Sequence, residues 1–176
     1  MMSRFIRRPI SRLALVIATA LIVSSLSAGA EDAPKVDAKG TLELAFADLR
    51  FKTSPPKQIK REGSDLEMPT FNEQIPEKIR NLNEKRIRIH GFMMPTVLDE
   101  KKGVKEFVIV MSQLACCYGQ TPDVNEYIVV KMVAGKSAPL LENVPLSFEG
   151  ILKVGDIYEN GYWTGMYALE CDDVHV

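Results

Sequence analysis

The sequence has 176 residues, of which 22 are Lys or Arg, 23 are Asp or Glu and three are Cys, so its formal net charge is −1. This near-neutral balance argues against a nucleic-acid-binding protein, because such proteins carry a basic excess that neutralises phosphates. The length suits one domain built around a single core.

The first 30 residues have the order of a secretory signal peptide. Four Arg and no acidic residue stand in the first 12 positions, and an apolar run of about 14 residues follows, shorter than the roughly 20 that span a bilayer. Ala28-Gly29-Ala30 then gives the small-x-small pattern that signal peptidase recognises. We predict export to the periplasm with cleavage after Ala30, and an uncleaved N-terminal membrane anchor is the alternative.

Cleavage there would leave 146 residues with 18 basic and 23 acidic side chains, a net charge of −5. Residues 31–40 are small and charged and include Pro, which is typical of a flexible tether. Residues 41–176 form the predicted single β-rich domain. Near its start, 41–49 fits either a short strand or a helical turn, and the Pro-rich stretch 52–69 is predicted as a long exposed loop.

Five later segments have the patterns of β-strands. The first alternates strictly, which turns Ile87 and Ile89 inward and places His90 on the outer face. The second and third are continuous apolar runs, predicted as central strands that are buried on both faces. The five predicted strands are 86–92, 107–111, 127–133, 144–154 and 162–169.

The last two strands carry the clearest local signals. The even positions of 144–154 are apolar or Gly, and Gly150 predicts a bend or bulge in a strand of this length. Asn160-Gly161 predicts a tight hairpin before the final strand. In that strand Trp163, Tyr167, Leu169 and Cys171 share one phase, which points them inward.

A short helix is predicted before the strands, and together these elements indicate a fold class. Ile75, Ile79 and Leu82 lie at i, i+4 and i+7, which predicts two helical turns beginning at Pro76. The whole pattern predicts a mainly β fold, namely a small OB-like antiparallel barrel of about five strands with a short preceding helix. A β-sandwich is the alternative.

The loop between the second and third predicted strands carries the chain's most distinctive residues. Two adjacent thiols are followed by residues that turn a backbone or leave its amides unpaired. Loops on a rigid scaffold often carry function. We therefore predict a binding loop at 116–125, with the candidate residues Cys116, Cys117, Tyr118, Gly119, Pro122 and Asn125.

The cysteines and histidines allow a metal hypothesis. Thiolate and imidazole are the ligands that Zn²⁺ and Cu(I) prefer, although adjacent cysteines lack the usual x-x spacing. A disulfide between Cys171 and one loop cysteine is open as well, and so is burial of all three as small apolar side chains. The candidate metal ligands are Cys116, Cys117, His90, Cys171 and His175, with Zn or Cu as the ion, and no cofactor is otherwise predicted.

Catalytic patterns are weak in this sequence. There is no Cys-x-x-Cys pair to support thiol redox chemistry and no Gly-x-Ser-x-Gly around a nucleophile. Rather than an enzyme, we therefore expect a non-catalytic binding or adaptor module. Metal handling and thiol redox chemistry are the alternative functions.

Several motifs together resemble one known family. They are Ala45-Phe46-Ala47-Asp48-Leu49, the segment 75–82, Ile87-x-Ile89-His90-Gly91-Phe92-Met93-x-Pro95, the Cys116-Cys117-Tyr118-Gly119 loop with Pro122 and Asn125, the strand 146–154 and Tyr167-x-Leu169. They resemble the bacterial secreted family called domain of unknown function 3299 (DUF3299), over most of the exported chain. Phe46 stands where members often have Trp.

The resemblance implies an exported envelope protein, sometimes encoded near ABC-type transport components and metal-responsive genes. It implies no established activity and supplies no catalytic residue. The expected partner is therefore an envelope protein, such as an ABC-transport component, rather than nucleic acid. The membrane is expected as a partner only if the signal segment stays uncleaved.

Overall fold

The computed structural model describes residues 35–60, 65–99, 103–112, 114, 119, 121–141 and 143–176. Residues 34–176 form one compact unit. In order along the chain, its elements are β1 (Leu42–Leu44), α1 (Phe46–Leu49), β2 (Lys57–Lys60), β3 (Glu67–Thr70), a 3₁₀ turn (Asn72–Gln74), α2 (Glu77–Arg80), β4 (Arg86–Asp99), β5 (Gly103–Val110), β6 (Tyr127–Met132), β7 (Pro145–Glu159) and β8 (Tyr162–His175). Within the described ranges, no helix combines the length and apolar character needed to cross a membrane.

Five strands pair side to side in a closed ring. The order is β4-β5-β6-β8-β7, and β7 pairs again with the first half of β4. The predicted β-rich fold of five strands is thus confirmed, and the predicted strands are the members of this ring. The ring was predicted to be antiparallel, but one of its strand pairs is parallel: β6 runs parallel to β8 from Val129↔Ala168 to Met132↔Cys171.

The ambiguous segment at 41–49 contains both predicted structures. β1 pairs in parallel with the first half of β4, from Leu42↔Ile87 to Leu44↔Ile89. The helical turn α1 follows at once, and the carboxylate of Asp48 accepts the backbone N–H of Ala45 at 2.7 Å. This side-chain contact gives a partner to a backbone amide at the start of the helical turn.

Two local predictions were wrong in extent. The stretch 52–69 is not only loop, because β2 and β3 pair within it from Lys57↔Thr70 to Lys60↔Glu67. The predicted two-turn helix is the single turn α2, and Pro76 precedes it in an extended conformation. After α2 the chain tightens into i→i+3 turns, such as Leu82 N–H to Ile79 O at 3.0 Å, so the helix stops.

The core fills the inside of the ring and follows the predicted phase. Phe148 and Leu152 of β7 are fully buried, and the rings of Phe107 and Phe148 lie 5.6 Å apart. Tyr167, Leu169 and Cys171 are buried as predicted, whereas Trp163 is half-buried against Phe71 at 5.3 Å. The strand β6 is not buried on both faces as predicted, because its burial alternates and Lys131 is exposed.

The two predictions that rest on glycines, the bulge at Gly150 and the hairpin turn at Asn160-Gly161, are both confirmed. The register of β7 and β8 shifts between Glu149 and Gly150, which marks the predicted bulge. A Cβ at Gly150 would lie 2.2 Å from the backbone oxygen of Glu170, so only Gly allows this close approach. Asn160 and Gly161 both have positive φ, 49° and 88°, the combination of a two-residue hairpin turn.

Candidate functional site

The predicted binding loop lies between β5 and β6 and is described in part. Cys116, Cys117 and Tyr118 lie outside the described residues. Gly119 is exposed and has φ +68°, a left-handed conformation that favours Gly over other residues. Pro122 and Asn125 are described: Pro122 lines a cavity, whereas Asn125 forms a buried hydrogen bond that holds the end of the loop.

Asn125 fixes the end of the loop. It is only 3% exposed, and its Nδ2 donates to the backbone oxygen of Phe51 at 2.7 Å. The next residue, Glu126, forms an ion pair with Arg50 at 2.9 Å and accepts the Asp123 N–H at 3.2 Å. The loop therefore returns to β6 through a braced turn that is tied to residues 50 and 51.

A cavity opens between the two ends of the loop. Its volume is about 250 Å³, and most of its wall is apolar. Met111 and Leu114, which both line the cavity, are 47% and 51% exposed and so present apolar surface to solvent there. The lining residues are Val110, Met111, Ser112, Leu114, Thr121, Pro122 and Glu126.

Of the lining residues, the predicted loop 116–125 contains Thr121 and the candidate Pro122, and the sequence analysis missed the rest. Val110 and Met111 belong to an apolar run, so they were assigned to a buried strand. The strand ends at Val110, and Met111 is already exposed. An apolar residue immediately before a loop rich in Gly and Pro was the signal that could have separated it from the core.

The outer face of β4 and β7 carries a network of ion pairs. As predicted from the alternation, His90 lies on this face, and Arg86 and Arg88 lie there with it. The guanidinium of Arg88 donates to the Glu149 carboxylate from Nε at 2.7 Å, and it also contacts Asp37 at 3.1 Å and Glu43 at 3.3 Å. Glu149 is buried, so the two arginines compensate its charge.

Arg86 extends the network to β8. Two of its nitrogens donate to the carboxylate of Asp172, at 2.6 and 2.8 Å. The hydrogen bond from Arg86 lowers the pKa of Asp172 below its ordinary value of 3.8, against the opposing effect of burial. Sequence reasoning did not predict the burial of Glu149, because its pairing with Arg88 depends on the register of β4 and β7.

The candidate metal ligands fall into separate groups. His90 and His175 are exposed on the outer face, where their Nε2 atoms approach Glu43 at 2.8 Å and Asp173 at 3.3 Å. Cys171 instead belongs to the buried core cluster, so it does not share a face with the histidines. In the part of the chain that the structure describes, no three His, Cys, Asp or Glu side chains are placed together to hold a metal.

Cys171 has the environment of a structural thiol. It is a free cysteine and fully buried, and its Sγ donates to the backbone oxygen of Asp173 at 3.3 Å. Desolvation by burial raises its pKa to about 11. A thiol with so little thiolate at neutral pH is a poor nucleophile.

Comparison with protein families identifies the chain's relatives. The model of the family described as Protein of unknown function (DUF3299) matches residues 36–176. The chain belongs to this family. Among solved structures, a 2.45 Å crystal structure of a DUF3299 family protein from Pseudomonas aeruginosa PAO1 is similar, with a TM-score of 0.52 and 20% identity over 77% of this chain and 95% of that one. No curated protein matches the sequence.

DUF3299 membership agrees with the resemblance found in the sequence motifs. The family's description assigns no activity, and at 20% identity the solved member is informative about the fold alone. The function of this DUF3299 chain must therefore be argued from its own loop, cavity and surface.

Proposed function

We propose that this chain is an exported, non-catalytic binding or adaptor module of the bacterial envelope. Its working surface is the cavity between the ends of the 111–126 loop, which takes an apolar group from a partner protein. The observation that carries the proposal is this cavity of about 250 Å³, lined by apolar residues from both ends of the loop. An enclosed cavity of about 150 Å³ holds benzene, so this larger space, which is open to solvent, has room for one aromatic side chain.

The described part of the cavity is pre-organised. One wall is the end of β5, which pairs with both β4 and β6 near Val110. The other wall ends in the turn that is braced by Asn125 and by the Arg50–Glu126 pair. Binding to a formed wall loses less conformational entropy than binding that must first order a loop.

The charge of the wall also bears on the kind of partner. Glu126 is the one ionisable residue that lines the described part of the cavity, and both of its carboxylate oxygens already have partners, Arg50 and the Asp123 N–H. A cationic ligand would have to compete with these contacts. The site therefore favours an uncharged apolar group, such as an aromatic or large aliphatic side chain.

Two features of the sequence suggest where the partner is found. The signal-peptide pattern of residues 1–30 supports export, and the family resemblance points to envelope proteins encoded near ABC-type transporters. An ABC-transport component is therefore the first class of partner to test. Thiol redox chemistry is the weakest alternative, because the buried Cys171 has a raised pKa. Metal handling is the other alternative.

Photo-crosslinking in cells tests the proposal. A benzoylphenylalanine is placed at Leu114 in the cavity wall or, as a matched control, at Leu140, which is 46% exposed and does not line the cavity. We expect a specific envelope protein to crosslink at position 114 only, and we expect Ser112→Phe, which fills the cavity, to remove that product. Identical products at both positions, or a product that Ser112→Phe leaves unchanged, would contradict the proposal.

A further inference from the structure

Six apolar side chains form a grid on the outer face of β4, β5 and β6. Directly paired residues of neighbouring strands point to the same side of a sheet, so the register of these strands places all six on one face. We call this set the apolar grid, and it has two rows with one residue from each strand. The first row is Phe92, Val110 and Tyr127, and the second row is Met94, Val108 and Val129.

The apolar grid is separate from the core. Phe107 and Ile109 belong to the core cluster inside the ring, so Val108 between them points outward. In the part of the chain that the structure describes, the core cluster contains none of the six grid residues. The outer face of an antiparallel sheet commonly carries polar side chains, and a contiguous apolar patch there is typical of an interaction surface.

The apolar grid adjoins the cavity of the proposed function. Val110 belongs to the grid and also lines the cavity, and the next residue, Met111, is 47% exposed. At the other end of this row, the Tyr127 hydroxyl donates to the backbone oxygen of Thr164 at 2.9 Å. The Tyr127 ring also lies 3.1 Å from where a Cβ at Gly165 would be, so it rests on β8. The row is thus held in place, and one partner segment can contact the cavity and the grid together.

The backbone under the grid selects the kind of partner segment. β5 pairs with β4 on one side and with β6 on the other, so it offers no free backbone groups to an added strand. A helix makes its contacts through side chains and needs no free edge. The grid is about 10 Å wide across the strands and about 7 Å long along them. Apolar residues at i, i+4 and i+7 of a helix span about 10 Å, which matches the width.

The charge at one border of the grid indicates the polar residues of the partner. Lys131 follows Val129 on the same face and forms an ion pair with Glu106 at 3.0 Å. Glu170 lies opposite Lys131 in the strand register. The hydrogen bond to Glu106 raises the pKa of Lys131, and the nearby charge of Glu159 adds to this effect. Three carboxylates therefore surround one ammonium group, and this border attracts basic side chains.

We propose that the apolar grid binds an amphipathic helix of the partner protein, with large apolar residues at i, i+4 and i+7 and basic residues beside them. This proposal rests on the proposed function, because the same helix places one apolar side chain in the cavity. A second copy of this chain is a poorer fit. Its described helices, α1 and α2, have one turn each and bury their apolar residues in the core.

Fluorescence anisotropy with a designed helix tests the proposal. The probe is a labelled peptide of about 15 residues, four helical turns, with Leu on one face, Lys beside it and Ala elsewhere. In one control peptide two central Ala are replaced by Pro, which breaks the helix but keeps the Leu and Lys side chains. A second control peptide has Glu in place of each Lys. We expect one saturable site per chain for the probe, and binding of each control peptide that is at least about tenfold weaker.

A double variant of the protein places the helix on the grid. Val108→Thr with Val129→Thr keeps the side-chain shape and the preference for a strand but adds two hydroxyls to the grid. It should weaken binding of the probe by at least about tenfold and leave the thermal unfolding midpoint near that of the parent. Ile59→Thr, at a residue that is 46% exposed on β2 and lies outside the grid, is the matched control and should bind the probe like the parent.

A separate measurement distinguishes this inference from the proposed function. Toluene reports on the cavity alone, and the Met111 methyl signal should respond to it equally in the parent and in the double variant. If Met111 responds to toluene but the probe does not bind, binds as tightly with Pro in its centre, or binds the double variant like the parent, the helix site is wrong and the cavity remains. A Met94 methyl signal that shifts with protein concentration would assign the grid to a second copy and would also overturn the inference.

Discussion

The side-chain amide of Asn125 donates to the backbone oxygen of Phe51 at 2.7 Å, although 74 positions separate the two residues in sequence. This contact joins the end of the candidate binding loop to the chain that follows α1. Since Asn125 is buried, the hydrogen bond is shielded from water and its loss would not be replaced by solvent. It is the clearest link between the fold and the cavity.

Asn125→Ala should lower the free energy of unfolding by about 1–3 kcal/mol, because it leaves the Phe51 carbonyl without its partner in a buried place. Chemical denaturation measures the change. Gln58→Ala in the exposed strand β2 is the control and should change stability by no more than about 0.5 kcal/mol. Equal denaturation midpoints for Asn125→Ala and Gln58→Ala would show that the Asn125 side chain does not brace the loop.

Phe148→Ala should destabilise the protein by about 3–5 kcal/mol, because it leaves a cavity beside Phe107 in the centre of the ring. Urea unfolding of the variant and of the parent measures this change in the free energy of unfolding. Tyr162→Ala removes a similar ring that is 72% exposed and should have little effect. A small shift for Phe148→Ala would mean that the core is not centred on β7.

The Arg86–Asp172 pair should contribute to stability in a pH-dependent way. The pKa of Asp172 is lower in the folded state than its ordinary 3.8, so its contribution is present above that value and is lost as the pH falls through the folded pKa. The partly exposed pair is worth at most about 1 kcal/mol.

Denaturant unfolding of the parent and of Asp172→Asn between pH 7 and pH 2 checks this contribution. The variant should be less stable at pH 7, and the difference should shrink toward zero at pH 2. Glu67→Gln on the exposed end of β3 is the control. A difference that stays constant over the whole range would assign the effect to packing instead of charge.

Cys171 should resist thiol reagents until the protein unfolds. Its side chain is fully buried, and its pKa of about 11 leaves little thiolate at pH 8. In the Cys116→Ser, Cys117→Ser variant, a colorimetric thiol reagent should find no reactive group in the folded state and one group per chain after denaturation without reductant. Rapid labelling of the folded variant would contradict the burial of this thiol.

The sequence predicted best the elements that have a local signal, such as alternating side chains along a strand or a Gly at a turn. The alternation of 86–92, the bulge at Gly150 and the turn at Asn160-Gly161 all appear in the structure, because each follows from local backbone and side-chain geometry. In 144–154 the even-numbered Phe148 and Leu152 are buried in the core as predicted, but Glu149 on the other face is buried as well. The parallel pairing of β6 with β8 was not predictable in this way. It depends on how the ring closes, which leaves no local signal.

The site was less predictable than the fold. The loop drew attention through its Cys, Gly and Pro residues, but the cavity also needs Met111 and Leu114, whose exposure depends on where β5 ends. In the same way, the contact of Arg88 with the buried Glu149 exists only through the register of β4 and β7, which are far apart in sequence. Contacts of this kind appear only after the chain has folded.

The most direct test of the proposed function is to ask whether the cavity takes an apolar group. The protein is labelled at its methionine methyl groups and titrated with toluene, and Met111 in the cavity wall is compared with Met166 in the closed core. We predict a saturable shift of the Met111 signal, little change at Met166, and loss of the Met111 response in Ser112→Phe. A Met111 signal that does not respond to toluene, or that responds equally in Ser112→Phe, would contradict the claim that this cavity is a binding site.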